Sequence, residues 1–192
     1  MNLRPANSRY EATAQRGPAE PALAGDVEAD VCVVGAGISG CSTAIHLAER
    51  GYRVVLLEAE RVGYGASGRS GGQIIPGYAS SMAKLVNLLG PADARRLWDF
   101  STESVELTRD LIERNRIDCH LAWGHLHVGI KPRQRDELKE WQHEQEDDFG
   151  YRKLRFLERD EVAEWIASKR YIAGLYDSGA GHLHPLRYTI GL

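Results

Sequence analysis

Cysteine is scarce in this sequence, net charge is small, and no long apolar run is present. No stretch of the 192 residues approaches the ~20 consecutive apolar residues that a membrane-crossing helix needs. A membrane partner is therefore not expected. Lys and Arg number 24 against 27 Asp and Glu, a net charge of −3. So even a balance gives no footprint for nucleic acid or for an anionic lipid surface. The three cysteines, Cys32, Cys41 and Cys119, are odd in number and lack metal-type spacing. Cys32 and Cys41 are expected to pack as small apolar groups in the core of the first βα unit. Arg4, Arg9 and Arg16 precede no apolar block, which argues against a secretory signal. Glu11, Glu20 and Asp26 argue against a mitochondrial presequence. A reducing cytoplasm is the expected location.

What is present suffices for a globular core, since 43% of the residues are hydrophobic. Residues 1–29 read as an N-terminal arm, either extended over the first domain or disordered. Pro5, Pro18 and Pro21 interrupt any helix there. Val31 to Val34 is a short continuous apolar run, which predicts a parallel strand buried on both faces. Residues 38–50 predict a helix stopped by Gly51, and Arg53 to Glu58 a second buried strand. Strand, helix and strand with short links make a βαβ unit.

Beyond it, Pro91 opens a long helix to about Arg114, buried along Ala94, Leu97, Trp98, Val105, Leu111 and Ile112. Leu121 to Ile130 has strand alternation around Gly124. Pro132 to about Asp148 reads as a solvated helix. Glu158 to Ile166 is a shorter helix with Val162, Trp165 and Ile166 inward. Ile172 to Tyr176 reads as a strand, and Pro185 opens another helix. The last helix has only a turn or two before Leu192, so the ending reads as an interruption.

The chemistry is concentrated between the two first strands and the loop after them. Gly35-Ala36-Gly37-Ile38-Ser39-Gly40 is a GxGxxG string that follows a strand and opens a helix. Gly35 permits the tight turn, Gly37 lets a pyrophosphate approach the backbone, and Gly40 lets helix and strand pack closely. The first-turn amides and the positive helix end then face the phosphates. Glu58 closes the second strand, where a carboxylate accepts hydrogen bonds from ribose hydroxyls and repels a 2′-phosphate. A glycine turn that binds nothing is the bland alternative, and the agreement of strand, motif, helix and acid weighs against it.

Residues 60–80 carry six glycines, Gly63, Gly65, Gly68, Gly71, Gly72 and Gly77. A dehydrogenase fold for NAD would turn here into another crossover helix. A loop rich in free N–H groups instead suits the far end of a longer cofactor, FAD. Ser67 adds a hydroxyl and Arg69 a fixed charge.

Three runs, Asp30 to Gly37, Leu57 to Gly63 and Gly65 to Gln73, resemble the D-amino-acid-oxidase-like family of FAD-dependent oxidoreductases. Sarcosine and glycine oxidases belong to it, and the likeness is greatest to its gamma-glutamylputrescine oxidoreductase branch. Ser8 to Ala14 and Ser178 to Leu186 support that branch. The resemblance implies an α/β fold, with a Rossmann-like FAD-binding unit over 30–80 and part of an α+β substrate domain over 81–180. Residues 181–192 would return toward the FAD domain.

It further implies an FAD-binding set of Gly35, Ala36, Gly37, Ile38, Ser39, Gly40, Glu58, Ala59, Arg61, Ala66, Ser67, Arg69, Gly71, Gly72 and Gln73. Of these, Arg69, Gly72 and Gln73 would lie on the flavin side. The implied chemistry is oxidation of an amine or amino acid to an imine, hydrolysed to an aldehyde or oxo acid. Oxygen or another acceptor takes the electrons, with hydrogen peroxide as co-product. Family members run to about twice this length, so the chain reads as an N-terminal fragment expected to be inactive alone. No residue is assigned as catalytic base.

Other groupings read as structural. His125 and His127 share one strand face, as do His182 and His184, but no acid or cysteine spacing makes them a metal site. Trp98, Trp141 and Trp165 fall at apolar helix positions, which leaves Trp123 as the tryptophan that could border a pocket. Two other functions remain open: an NAD-binding dehydrogenase fragment, and a non-catalytic truncated remnant.

Overall fold

The computed structural model describes residues 8–192. In chain order the elements are α1 (Arg9–Thr13), β1 (Val31–Val34), α2 (Ile38–Glu49), β2 (Val54–Leu57), a 3-10 turn (Ala66–Arg69), β3 (Gln73–Ile74), α3 (Met82–Leu89), α4 (Pro91–Arg114), β4 (Ala122–Gly129), α5 (Pro132–Phe149), β5 (Leu154–Glu158), α6 (Arg159–Trp165), β6 (Ala173–His182) and α7 (Pro185–Gly191). The chain divides into two compact units. The first runs up to Gly72 and resumes at Arg109–Leu121 and Leu183–Leu192, and the second holds Gln73–Thr108 and Ala122–His182.

In the first unit β1 and β2 pair in parallel, Val31 opposite Val54 through Val34 opposite Leu57. Between them α2 starts at Gly37 and ends before Gly51, whose φ of +88° a side chain would strain. The expected burial of β1 on both faces is not realised. Val34 is 83% exposed and Cys32 is also exposed, so Cys32 is not the core thiol that its apolar context suggested. A two-stranded sheet with α2 on one side leaves alternate β1 side chains uncovered among the described residues. Cys41 does pack inside, and burial followed by the Glu58 charge pushes its thiol above the ordinary range. It is a packing group rather than a nucleophile.

The arm is neither fully extended nor without structure over its described part. Ser8 caps α1 by accepting from the Glu11 amide at 3.1 Å, and Glu11 pairs with Arg16 at 2.6 Å. That pairing holds the Glu11 carboxyl below its usual range. Thr13 Oγ1 lies 3.0 Å from His184 Nε2, and the Thr13 carbonyl accepts from Arg187 at 3.1 Å. Pro5 falls outside the described residues, and Pro18 and Pro21 lie after the helix has ended. His184 is not a strand histidine sharing a face with His182. It caps α7, its ring accepting from the Arg187 amide, and is buried, while His182 ends β6 exposed.

The second unit is built on an antiparallel sheet. Strand β6 pairs with β4 on one side and with β5 and β3 on the other. Its ten residues continue well past the expected end at Tyr176. Between the pairs Trp123–Gly181 and His125–Asp177 the register shifts, so Ser178 to Ala180 bulge away from β4. Helix α5 is started by Gln134, whose side chain accepts from the Ile130 and Lys131 amides at 3.0 and 3.1 Å, and stopped by left-handed Gly150. Trp98, Phe149, Met82 and Ala94 form a core cluster. Trp165, expected inward, is 49% exposed and lies against Tyr176 with centroids 4.8 Å apart.

His127 is half-buried, between His125 at 4.4 Å and Trp141 at 4.6 Å between ring centroids. Burial, and then the His125 charge, lower its pKa to about 4. Between about pH 6.5 and about 4 the unfolded chain therefore binds a proton that the folded chain refuses. Stability present above pH 6.5 is expected to fall as the pH drops toward 4. Thermal unfolding of His127→Gln across that window should show a flatter pH dependence. An unchanged slope would refute this role.

Candidate dinucleotide site

The turn between β1 and α2 is held open by four contacts from outside it. Gly35 donates its amide to the Leu57 carbonyl at 2.7 Å and takes a φ of +100°, which only glycine adopts without strain. Glu58 reaches across from the end of β2, and its Oε2 accepts the Ala36 amide at 2.7 Å. Its Oε1 accepts the Glu60 amide at 3.0 Å. The carboxylate is exposed and directed at the glycine turn.

Ser67, on the 3-10 turn, accepts the Ile38 amide at 3.0 Å. The amides of Gly37, Ser39 and Gly40 donate to no protein atom among the described residues; the first turn-closing bond is Cys41 to Gly37. These are the unpaired donors that every helix start leaves, aligned with the positive helix end. A negatively charged group is their natural complement.

The glycines are required by space as well as by conformation. A Cβ on Gly37 would stand 2.8 Å from Ser67 Oγ, and one on Gly40 would collide with the Gly35 carbonyl. The loop closes onto the turn through the Gly63 amide, which donates to the Ala36 carbonyl at 2.8 Å. Gly72 has a φ of +74°, and its carbonyl accepts the Leu183 amide at 2.8 Å.

Not every residue expected at the site is gathered there. Gly35 to Gly40, Glu58 and Ser67 form one constellation. Ala59, Ala66 and Gly71 lie exposed along the loop. The Arg61 guanidinium donates to the Gly17 carbonyl at 3.1 Å. That of Arg69 donates to the Tyr64 carbonyl at 2.9 Å and stacks over the Tyr64 ring at 5.1 Å. Gln73 belongs to the second unit, in β3 opposite His182.

Two contributors were passed over in the sequence. Gly63 ties the loop to the turn, and glycine density was its signal. Arg16, which donates to the Val62 carbonyl at 2.8 Å, had none. Among the described residues no group of three or more His, Cys, Asp or Glu is arranged to hold a metal, and no helix is long and apolar enough to cross a membrane.

The chain is similar to known proteins. Residues 30–192 match the family described as FAD dependent oxidoreductase. The chain is 39% identical over 185 residues to gamma-glutamylputrescine oxidoreductase of Escherichia coli, covering 96% of this chain and 43% of that protein. It is 40% identical over 172 residues to the probable oxidoreductase OrdL of Haemophilus influenzae, covering 90% and 40%. Among solved structures, L-amino acid deaminase from Proteus myxofaciens aligns with a TM-score of 0.69 at 25% identity, over 92% of this chain and 37% of that one. Glycine oxidase from Bacillus cereus shares the fold, with a TM-score of 0.62 over 85% of this chain and 42% of that one. The chain thus spans about two fifths of the length of its curated relatives. Strand, glycine turn and helix, with a match over residues 30–192, lead to one conclusion: this chain belongs to the family of FAD-dependent oxidoreductases that includes those relatives.

Proposed function

We propose that this chain holds the adenosine and diphosphate of FAD in an oxidoreductase acting on the C–N bond of an amine or amino acid. The observation that carries the reading is the pairing of unpaired amides at Gly37, Ser39 and Gly40 with a Glu58 carboxylate aimed at the same turn. The amides take the diphosphate, and Glu58 accepts from the ribose hydroxyls while keeping its bond to Ala36. Ser67 keeps the helix start from closing on itself by satisfying Ile38. Gly72 is buried with a positive φ and lets the loop pass on the flavin side, where Arg69 supplies a fixed charge.

FAD, when bound, supplies the acceptor for a hydride from the carbon beside the amine nitrogen. The imine so formed would be hydrolysed to an aldehyde or oxo acid plus ammonia or an amine, and oxygen or another acceptor would take the electrons, with hydrogen peroxide as the product when oxygen serves. One relative is named for gamma-glutamylputrescine, which makes that compound the first amine to test. The chain alone is expected to bind FAD without measurable amine oxidation.

The direct test is a thermal unfolding titration with FAD and, in parallel, NAD. FAD at about a hundred times its Kd should stabilise the chain by about 2.7 kcal/mol. A shift with NAD and none with FAD would move the assignment to a dehydrogenase. No shift with either would leave a remnant that binds neither. Glu58→Ala is expected to weaken FAD about ten- to a hundred-fold, since charge-assisted hydrogen bonds contribute about 1.5–3 kcal/mol. Unchanged affinity in that variant would remove Glu58 from the site.

A further inference from the structure

The second unit contains a cavity of about 300 Å³ that the flavin reading leaves without a role. Trp98, Trp141 and Tyr151 line it, together with Glu144, Gln145 and Asp177. Trp98 and Tyr151 meet edge to face with centroids 5.3 Å apart, which holds two aromatic surfaces at an angle. No lysine or arginine lines the cavity among the described residues.

Its polar groups are short of donors. Gln145 is 3% exposed, and its Oε1 has no hydrogen-bond partner. A buried amide oxygen left unpaired is costly, and its ordinary remedy is a donor from water or ligand. Asp177 is 4% exposed and accepts from the Tyr151 hydroxyl at 2.7 Å and the Gly179 amide at 2.8 Å, both on Oδ1. Glu144, half-buried beside Gln145, adds a second carboxylate. His127 also borders the space and is uncharged at neutral pH, so it does not repel a cation.

We infer that this cavity binds a small primary ammonium, its N–H groups donated to Gln145 Oε1 and Asp177, its charge balanced by Asp177 and Glu144, and its carbon chain against Trp98 and Trp141. Aromatic faces attract cations and cover methylene groups at once. A cavity near 300 Å³ is at the small end of ligand sites, which suits an alkylamine of a few carbons. The inference needs no flavin, so it stands or falls separately from the proposed function.

The probe is n-butylammonium, titrated into the flavin-free 192-residue chain and followed by calorimetry and tryptophan fluorescence. Saturable binding is expected, with n-butanol and tetramethylammonium each at least about tenfold weaker, the first lacking charge and the second lacking N–H donors. Gln145→Leu and Glu144→Gln should each weaken the amine at least about fivefold with the circular dichroism unchanged. Glu144 is half-buried, so its variant keeps the test valid should Gln145→Leu fail to fold. Equal binding of butanol or tetramethylammonium, or full affinity in Glu144→Gln, would overturn the inference.

Discussion

Gly37→Asp is expected to give a chain that purifies colourless and shows no thermal shift with FAD. Two effects act together. The new Cβ would stand 2.8 Å from Ser67 Oγ, the group that satisfies the Ile38 amide at the helix start. The added carboxylate would then face the phosphates at short range, where like charges in a partly desolvated turn repel strongly. A loss of at least about a hundred-fold in affinity, about 2.7 kcal/mol, is expected. Gly37→Ala separates the two effects, because it adds the Cβ without the charge, and should fall between the parent and the aspartate variant. Retained flavin in Gly37→Asp would show that the diphosphate lies elsewhere.

The second large effect is expected in the other unit. Leu175 is fully buried in β6, the strand that carries the pairing of the whole sheet, between His127 of β4 and Phe156 of β5. Leu175→Ala is therefore expected to cost about 2–5 kcal/mol. For a chain of this size that lowers the unfolding temperature by on the order of 10 °C. Differential scanning calorimetry of the flavin-free chain reads it directly. A change within about 0.5 kcal/mol, as at an ordinary surface position, would contradict the burial of β6.

Much of the local structure could be read from the chain because its signals are local. Pro91, Pro132 and Pro185 each open a helix where the fixed φ suits the first turn. The apolar run at Val31 and the glycine string after it place β1, the turn and α2 within a residue or so of their observed bounds. Glu58 was recognisable as the acid at the end of a strand. Its bond to the Ala36 amide was not, because that contact spans 22 residues and depends on β1 and β2 lying side by side.

Other elements left weaker traces. Strand β5, Leu154–Glu158, alternates only briefly between charged flanks, and it exists because β6 offers an edge for it. Helix α3 begins at a Ser81 cap after a glycine-rich stretch that reads as loop. Cys32 and Trp165 were assigned inward by residue type, yet apolar character gives a preference for burial and cannot supply a covering layer.

The sequence by itself determined what depends on neighbours a few residues away: the βαβ unit, the glycine turn, the starts of the long helices and the family to which they belong. Only the tertiary structure decided which polar groups distant in the chain meet. Glu58 came to the glycine turn, His184 to the N-terminal helix, and Tyr151 to Asp177 beside the unpartnered Gln145 oxygen. The physical reason is that periodicity and turn chemistry act along the chain. Desolvation and hydrogen-bond satisfaction act across it, between residues that no short window brings together.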